Sequence, residues 1–414
     1  METAGLKVCI IHNEYGKLSG EEVVVAGVRR LLEENGHQVI PFVRGSAEIP
    51  RMFMGNMRAF FSGIHSFSSR RVMRKLLAEH RPDVVHVHNV FPLISPSVLG
   101  VCRQAGVPVV MTLHNYRLIC PTGLFMVNGQ LCEKCRGGRE YWCVLRNCTG
   151  GRLKSLGYAA RNWLARKRRA FMDNVTLYTA LTQFQKEQLV HEGFPAERIV
   201  VIPNMAAVQS LNAQPPLGDC VSFIGRVSPE KGVDTLLAAG KACADIPFKV
   251  AGNFDLMPQA PSQASSNFQF LGALGPVELA KQYLSSRIVV LPSTWYEGFP
   301  MILAEAMLYG KPVICSRIGG LPEIVEDGVT GLLADPGDTR DLADKIRYLW
   351  DRPDLCRQMG LAGRGKALRE YSSDRYYQNL MTAYDLAIRL GPGGSSTGLG
   401  QDGRCRNPDP QEIT

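Results

Sequence analysis

Nowhere does this sequence hold an apolar run approaching the roughly 18 residues that a membrane-crossing helix requires. Its beginning also lacks a secretory pattern, since Leu6-Lys7-Val8-Cys9-Ile10-Ile11 is short and reads as a first strand. Together these absences point to a cytoplasmic chain. No recognisable nucleic-acid module is present, which removes DNA and RNA as expected partners. A single core is disfavoured by length, because 414 residues exceed what one ordinary domain organises. With 45% hydrophobic and 21% charged residues, the composition is that of a globular protein of two domains.

What is present is a regular alternation of short β-branched runs with longer helical patterns. In the first half, strands are expected at Lys7–His12, Val39–Val43, Asp83–His88, Val107–Leu113, Thr176–Ala180 and Ile199–Ile202. Helices fit Val23–Asn35, capped by Gly36, then Arg70–His80 and Phe184–Glu192. The second half repeats the scheme with strands at Cys220–Gly225, Phe248–Ala251, Phe268–Leu271, Ile288–Pro292, Val313–Ser316 and Gly331–Ala334. Its helices fit Asp234–Ala244, Pro276–Tyr283, Met301–Tyr309 and Thr339–Trp350. Such alternation implies an α/β protein with a parallel, doubly wound sheet in each half. Two Rossmann-like domains then face each other across a cleft, with ligands at the carboxyl ends of the strands. The expected boundaries are 1–204 and 219–372, joined by a linker at 205–218. A final amphipathic helix over about 373–390 crosses back to the first domain, and a Gly/Ser/Pro-rich tail, 391–414, is expected to be disordered.

The net charge of +9 is unevenly spread. Residues 1–205 hold 27 Lys and Arg against 15 Asp and Glu, whereas residues 206–414 hold 20 against 23. An anionic partner is therefore expected to face the first half only.

Two motifs carry chemistry. In Leu291-Pro-Ser-Thr-Trp-Tyr-Glu297-Gly298-Phe299-Pro300-Met301-Ile-Leu-Ala-Glu305, a buried strand ends, turns at Gly298 and enters a helix opened by Pro300. The free amides of a helix's first turn form a ready site for a diphosphate. Eight residues, mostly helical, separate Glu297 from Glu305 by roughly 10–12 Å. Glycosidase acid–nucleophile pairs stand about 5–9.5 Å apart, so the two glutamates read better as acceptors for sugar hydroxyls. On spacing alone, surface glutamates of an ordinary helix read equally well. The second motif, Gly225-Arg226-Val-Ser-Pro-Glu230-Lys231-Gly232, puts two cations beside a helix start, suited to charge building on a departing diphosphate. Taken alone, such a basic loop is more often solvated surface.

In combination and in this order, the motifs resemble the retaining glycosyltransferases of family 4, the group 1 glycosyltransferases of GT-B fold. The resemblance spans about residues 7–390 and is most specific in the second half. Glu297 and Glu305 match that family's Glu-x7-Glu signature, and residues 225–232 match its phosphate motif. It implies that Arg226 and Lys231 hold the diphosphate of a nucleotide sugar. Glu297 would bind the transferred sugar with backbone amides of Gly298–Met301, and Glu305 the ribose. His114, in Thr112-Leu113-His114-Asn115-Tyr116, would lie at the cleft beside the sugar; a lone strand-end histidine is otherwise structural, as His86 and His88 are expected to be. Gly20 would let backbone approach phosphate, although the family's usual Gly-Gly is Ser19-Gly20 here. The usual Pro-Asn-Gly at the domain junction is Pro203-Asn204-Met205, so no role passes to its glycine. No Asp-x-Asp motif stands near the donor residues, and the family uses Arg, Lys and helix dipoles in place of a divalent cation. The implied reaction is hexosyl transfer to a glycan or lipid-linked acceptor with retention, the leaving phosphate taking the acceptor's proton. A sugar-nucleotide epimerase of the same shape and a non-catalytic nucleotide-sugar-binding subunit remain as alternatives.

Two basic segments suit peripheral docking on an anionic membrane surface. One runs over Arg51–Lys75 and mixes six cations with Met52, Phe53, Met54, Phe60, Phe61 and Phe67. The other, Arg152–Phe171, places Arg161, Arg166, Lys167, Arg168 and Arg169 beside Leu156, Tyr158, Trp163 and Leu164. A solvated basic face is the plainer reading. Of twelve cysteines, Cys132, Cys135, Cys143 and Cys148 fall within 17 residues, with Cys120 nearby. That spacing suits a structural zinc; reduced thiols are the alternative.

Overall fold

The computed structural model describes residues 5–15, 20–51, 62–206 and 215–394. Lys17, Leu18 and Ser19, the stretch from Met52 to Phe61, residues 207–214 of the linker and the tail from 395 lie outside these ranges.

Each half is built on a six-stranded, wholly parallel sheet. The first comprises β1 (Lys7–Glu14), β2 (Gln38–Gly45), β3 (Val84–Val87), β4 (Val109–Thr112), β5 (Leu177–Ala180) and β6 (Ile199–Val201), in the order β2-β1-β3-β4-β5-β6. The second comprises β7 (Cys220–Ile224), β8 (Phe248–Ala251), β9 (Phe268–Gly272), β10 (Ser286–Leu291), β11 (Val313–Ser316) and β12 (Gly331–Ala334), in the order β9-β8-β7-β10-β11-β12. The expected α/β class with two Rossmann-like sheets is thus what the chain adopts. Strand order reverses between β1 and β3 and again between β7 and β10, and such switch points are where open α/β sheets bind ligands.

Strand sequences explain the layering. In β1, Cys9 and Ile11 face one way and pack with Val85, Val87, Met73 and Leu99. Val8 and Ile10 face the other way, as the period-2 alternation of a strand requires. They meet Val24, Val28 and Leu32 of helix Gly20–Glu34 and, from the far end of the chain, Tyr376, Leu380 and Tyr384 of helix Ser373–Leu390. The last helix therefore completes the core of the first domain. Gly36, at φ +80°, ends the first helix in a left-handed turn.

Several elements have no counterpart in the sequence reading. These are helices Ser97–Gln104, Arg152–Lys167 and Pro353–Glu370 and a hairpin pairing Met126–Val127 with Gln130–Leu131. Pro353–Glu370 hides behind Gly360, Gly363 and Gly365, residues that disfavour helix locally. Close packing selects one of them: a Cβ on Gly360 would sit 2.0 Å from the Gly310 carbonyl oxygen. The described flanks of the expected linker are packed: Ala206 is buried and its amide donates to the Tyr371 carbonyl at 2.8 Å, while Lys311 Nζ donates to the Pro216 carbonyl at 2.6 Å.

Candidate functional site

The second domain's switch point gathers the donor motifs. β7 runs into Gly225, and Lys231 ends a short turn at Pro229–Lys231 before helix Val233–Ala242. Gly232, at φ +71°, has no room for a side chain, because a Cβ would fall 1.8 Å from the Pro292 carbonyl oxygen. That contact presses the Lys231 turn against the loop leaving β10. Lys231 Nζ lies 2.7 and 3.0 Å from the two carboxylate oxygens of Glu297. Ser293 Oγ and Trp295 Nε1 also donate to Glu297 Oε1, at 2.6 and 2.9 Å. Glu297 is 4% exposed, so this is a buried, fully hydrogen-bonded carboxylate. Arg226 is half exposed and donates to Glu230 at 2.6 Å. Burial alone would raise the Glu230 carboxyl; hydrogen bonds from Ser228, its own backbone and Arg226 outweigh that and hold it below the usual range.

Helix Met301–Leu308 starts one residue later than its proline suggests: Pro300 is the N-cap, with φ −74° and ψ 107°, and no side chain caps the helix. Glu305, on this helix, accepts from Tyr283 at 2.7 Å, and burial raises its carboxyl above the usual range. Glu297 and Glu305 thus have separate partners and do not form an acid–base pair.

The first domain's switch point carries histidines. His88 follows β3 and His114 follows β4; their rings stack with centroids 5.2 Å apart, and Nδ1 of His88 meets Nε2 of His114 at 2.9 Å. His86 is tied to Thr112 at 2.8 Å and to Tyr384 at 2.7 Å. Burial pushes His114 and His86 down to about 3 and His12 to about 4, and holds His88 well below its ordinary value. All four are therefore neutral near pH 7. His88, Phe91, His114, Asn115 and Arg117 border a small cavity of about 20 Å³. Both ring nitrogens of His12, Nε2 of His88 and Oε1 of Glu21 are buried with no hydrogen-bond partner among the described residues.

Three residues here escape a reading of the sequence. Arg117 donates to the Tyr15 hydroxyl at 3.0 Å, and that hydroxyl donates to Glu21 Oε2 at 2.9 Å. Burial pushes Glu21 up to about 7. Tyr15 and Glu21 bracket the expected glycine turn, but Arg117 is about a hundred residues away in sequence and nothing in a local motif announces it. Gly20 opens helix Gly20–Glu34 in open space: a Cβ added there would meet no described atom within 4 Å.

The two sites touch. A Cβ on Gly298 would sit 2.8 Å from the His114 carbonyl oxygen, and the Tyr116 hydroxyl donates to the Glu297 carbonyl at 3.2 Å. Gln183 and Phe184 amides both donate to the Glu323 carboxylate at 2.6 Å. The loop at Tyr296 seats among Tyr116, Phe125 and Phe184, beside the cysteine insert.

In that insert Cys148 packs against Cys135 and Cys143. Among the described residues no group of three or more His, Cys, Asp or Glu is arranged to hold a metal ion. Cys132 accepts from Arg146 at 3.1 Å, and Cys135 and Cys143 are buried in a small cluster with Ala159, Trp142 and Tyr158. Burial raises the Cys135 thiol to about 12, whereas a hydrogen bond from Cys143 draws Cys148 down to about 7.

Comparison with known proteins agrees with this architecture. Residues 18–209 match the model described as Glycosyltransferase Family 4, and residues 215–366 the model described as Glycosyl transferases group 1. A D-inositol 3-phosphate glycosyltransferase of Segniliparus rotundus is 32% identical over 189 residues, 42% of this chain and 42% of that one. A phosphatidyl-myo-inositol mannosyltransferase of Mycobacterium leprae is 28% identical over 50% of this chain and 58% of its own length. The chain thus spans about half the length of these curated relatives. Among solved structures, Anabaena HepE in complex with UDP and glucose superposes with a TM-score of 0.63 at 19% identity, covering 92% of this chain and 99% of that chain. With both halves matched in order and both sheets of the same fold, the chain belongs to the group 1 glycosyltransferases of GT-B architecture.

Proposed function

We propose that the chain moves a hexosyl unit from a UDP- or GDP-sugar to a glycan or lipid-linked acceptor, with retention, in cell-surface polysaccharide or glycolipid synthesis. One observation carries the reading: the buried Lys231–Glu297 pair and the neutral His88–His114 pair stand at two facing switch points that touch through Gly298. The UDP and glucose held by the similar Anabaena protein support a nucleotide sugar as donor.

In this reading Lys231 and Arg226 neutralise the diphosphate, with help from backbone amides of Gly298, Phe299 and Met301; Pro300 has none to give. Glu297 accepts from hydroxyls of the sugar and Glu305 from the ribose. The bond between the anomeric carbon and the phosphate oxygen breaks, and the acceptor hydroxyl attacks from the same face. Its proton passes to the departing phosphate, so no enzyme nucleophile and no metal are required. His114, being neutral, acts through hydrogen bonding rather than charge.

The acceptor side faces a membrane in this proposal. Helix Arg152–Lys167 leaves Leu153 85% exposed, with Leu156 and Trp163 about half exposed beside Lys167 and Arg168. Among the described residues no helix is long and apolar enough to cross a membrane, so docking would be peripheral, at the inner face.

The test is nucleotide release from UDP- and GDP-sugars with and without lipid extract. Acceptor-stimulated release is expected. Free sugar released without any acceptor would identify an epimerase, and tight nucleotide-sugar binding without turnover a non-catalytic subunit.

A further inference from the structure

A second cavity, of about 230 Å³, opens in the first domain between helices Phe67–His80, Ser97–Gln104 and Arg152–Lys167. Arg70, Arg161, Arg168 and His65 line it, and no carboxylate among the described residues does. Arg161 is the unusual member. It is 7% exposed, and its partners among the described residues are neutral: Asn162 Oδ1 at 3.1 and 3.2 Å, the Pro121 carbonyl at 3.0 Å, and the ring faces of Phe91 and Tyr158 at 3.9 and 4.7 Å. Burying a guanidinium without a counterion is costly, and burial pulls this one down to about 9, with Arg117 adding to the effect.

Two nearby arginines are treated differently. Arg166, about one turn farther along the same helix, pairs with Glu140 at 2.8 Å and Glu192 at 3.3 Å. Arg136 pairs with Glu133 and Glu192. Carboxylates are thus supplied to the neighbouring cations and withheld from Arg161. Arg70 and Arg168 converge from two other directions on one imidazole: Arg70 Nη1 is 3.4 Å from His65 Nε2, and burial followed by both guanidiniums holds His65 below its ordinary value. Pro96 and Ser97 bring the start of the eight-residue helix Ser97–Gln104 to the same cavity, its Ser97 and Val98 amides already donating to Ser95 Oγ and the Ser95 carbonyl.

We propose that this cavity is a phosphoryl-binding subsite, in which Arg161, Arg70 and Arg168 hold a phosphate monoester or diphosphate that travels with the acceptor. Three guanidiniums exceed what one carboxylate would neutralise, and the planar fork of arginine matches phosphate oxygens in pairs. Phe91, on which Arg161 stacks, also borders the cavity of His88 and His114. The phosphate would therefore lie one aromatic ring from the transfer site. The outer face of the same helix carries Leu153, Leu156 and Trp163, so a phosphate attached to a lipid would reach the pocket from the exposed apolar side. That the phosphate belongs to the acceptor rests on the transferase reading; that the pocket binds one does not.

The test uses the full chain and the double variant Arg70→Gln/Arg168→Gln, neither side chain of which is buried or ion-paired among the described residues. Inorganic phosphate binding is measured by calorimetry, and vesicle binding by flotation, on phosphatidylcholine mixed with either phosphatidic acid or phosphatidylserine at equal surface charge. The double variant is expected to lose phosphate affinity at least tenfold while its binding of UDP and GDP is unchanged. Lys231→Ala should show the converse, which separates failure of this proposal from failure of the donor site. Preference for phosphatidic acid that vanishes in the double variant assigns the phosphoryl group to a lipid; phosphate binding without that preference assigns it to a soluble acceptor. Unaltered phosphate affinity in the double variant, or phosphate affinity lost only with Lys231, overturns the proposal.

Discussion

At the scale of single residues, Lys231 is the group whose loss should be most informative. Ser293 and Trp295 still donate to Glu297 Oε1 when the ammonium is removed but Oε2 loses its donor, so Lys231→Ala should fold with a lowered melting temperature. Transfer should nonetheless fall by about two orders of magnitude or more, the cost of one electrostatic stabiliser of the departing group. Near-normal turnover with intact nucleotide binding would refute its role. A second expectation concerns pH. His12, His86, His88 and His114 are held below the ordinary value of 6.5, so between that pH and about 3–4 an unfolded chain takes up protons that the folded one refuses. Their stability contribution is present above pH 6.5 and lost as pH falls. Glu21, raised from 4.5 to about 7, and Glu305, also raised, oppose this by favouring the folded state at low pH, but they are two groups against four. Melting temperature should therefore drop between pH 7 and 5. His12→Asn sacrifices no hydrogen bond and should flatten that drop; an unchanged slope would show that His12 does not contribute. Lys231, Glu297 and His114 are legible in the sequence because each sits in a short motif at a strand end. Tyr15, Glu21 and Arg117 are hidden because their network is closed by contacts across the fold, and Ser293 and Trp295 because nothing in the loop's composition says which oxygen they serve.

At the scale of elements, the strands are readable because parallel strands covered on both faces are Val- and Ile-rich throughout. Helices are harder to read, and Arg152–Lys167 shows why. Its buried face holds Ser155, Gly157, Ala159, Arg161, Asn162 and Ala165, while Leu153, Leu156 and Trp163 point outward. An amphipathic pattern turned inside out gives no ordinary helical signal. The same inversion yields a prediction. Leu153→Glu/Trp163→Glu should abolish flotation with anionic vesicles and raise solubility, whereas Lys167→Gln should weaken binding by about 1 kcal/mol. Vesicle binding that survives the two introduced carboxylates would place the docking face elsewhere. The cysteine insert is the converse case: its spacing suggests zinc, and its described contacts are a guanidinium at Cys132 and apolar packing that brings Cys148 against Cys135 and Cys143.

At the scale of the whole molecule, the domains meet where the chemistry is proposed to occur. Gly298→Ala would drive a methyl group against the His114 carbonyl, backbone against backbone, with no flexible side chain to yield. The variant should melt normally, since each domain keeps its own core, yet lose transfer because the cleft cannot close; small-angle scattering should show a larger radius of gyration. A variant as compact and as active as the parent would show that this contact is incidental. The charge asymmetry, basic in the first half and mildly acidic in the second, matches a molecule that meets anionic surfaces with one lobe only. Finally, helix Ser373–Leu390 closes over Val8, Ile10, Val84 and Val110, and Tyr384 reaches His86. During synthesis the first lobe must therefore wait, with part of its apolar interior open, until this last helix has left the ribosome. The second lobe, its own sheet complete by Ala334, can fold first. Birth order and folding order are reversed, and a nascent chain that stalls between the two lobes would present the cell with an unfinished, sticky half-protein for chaperones to shelter.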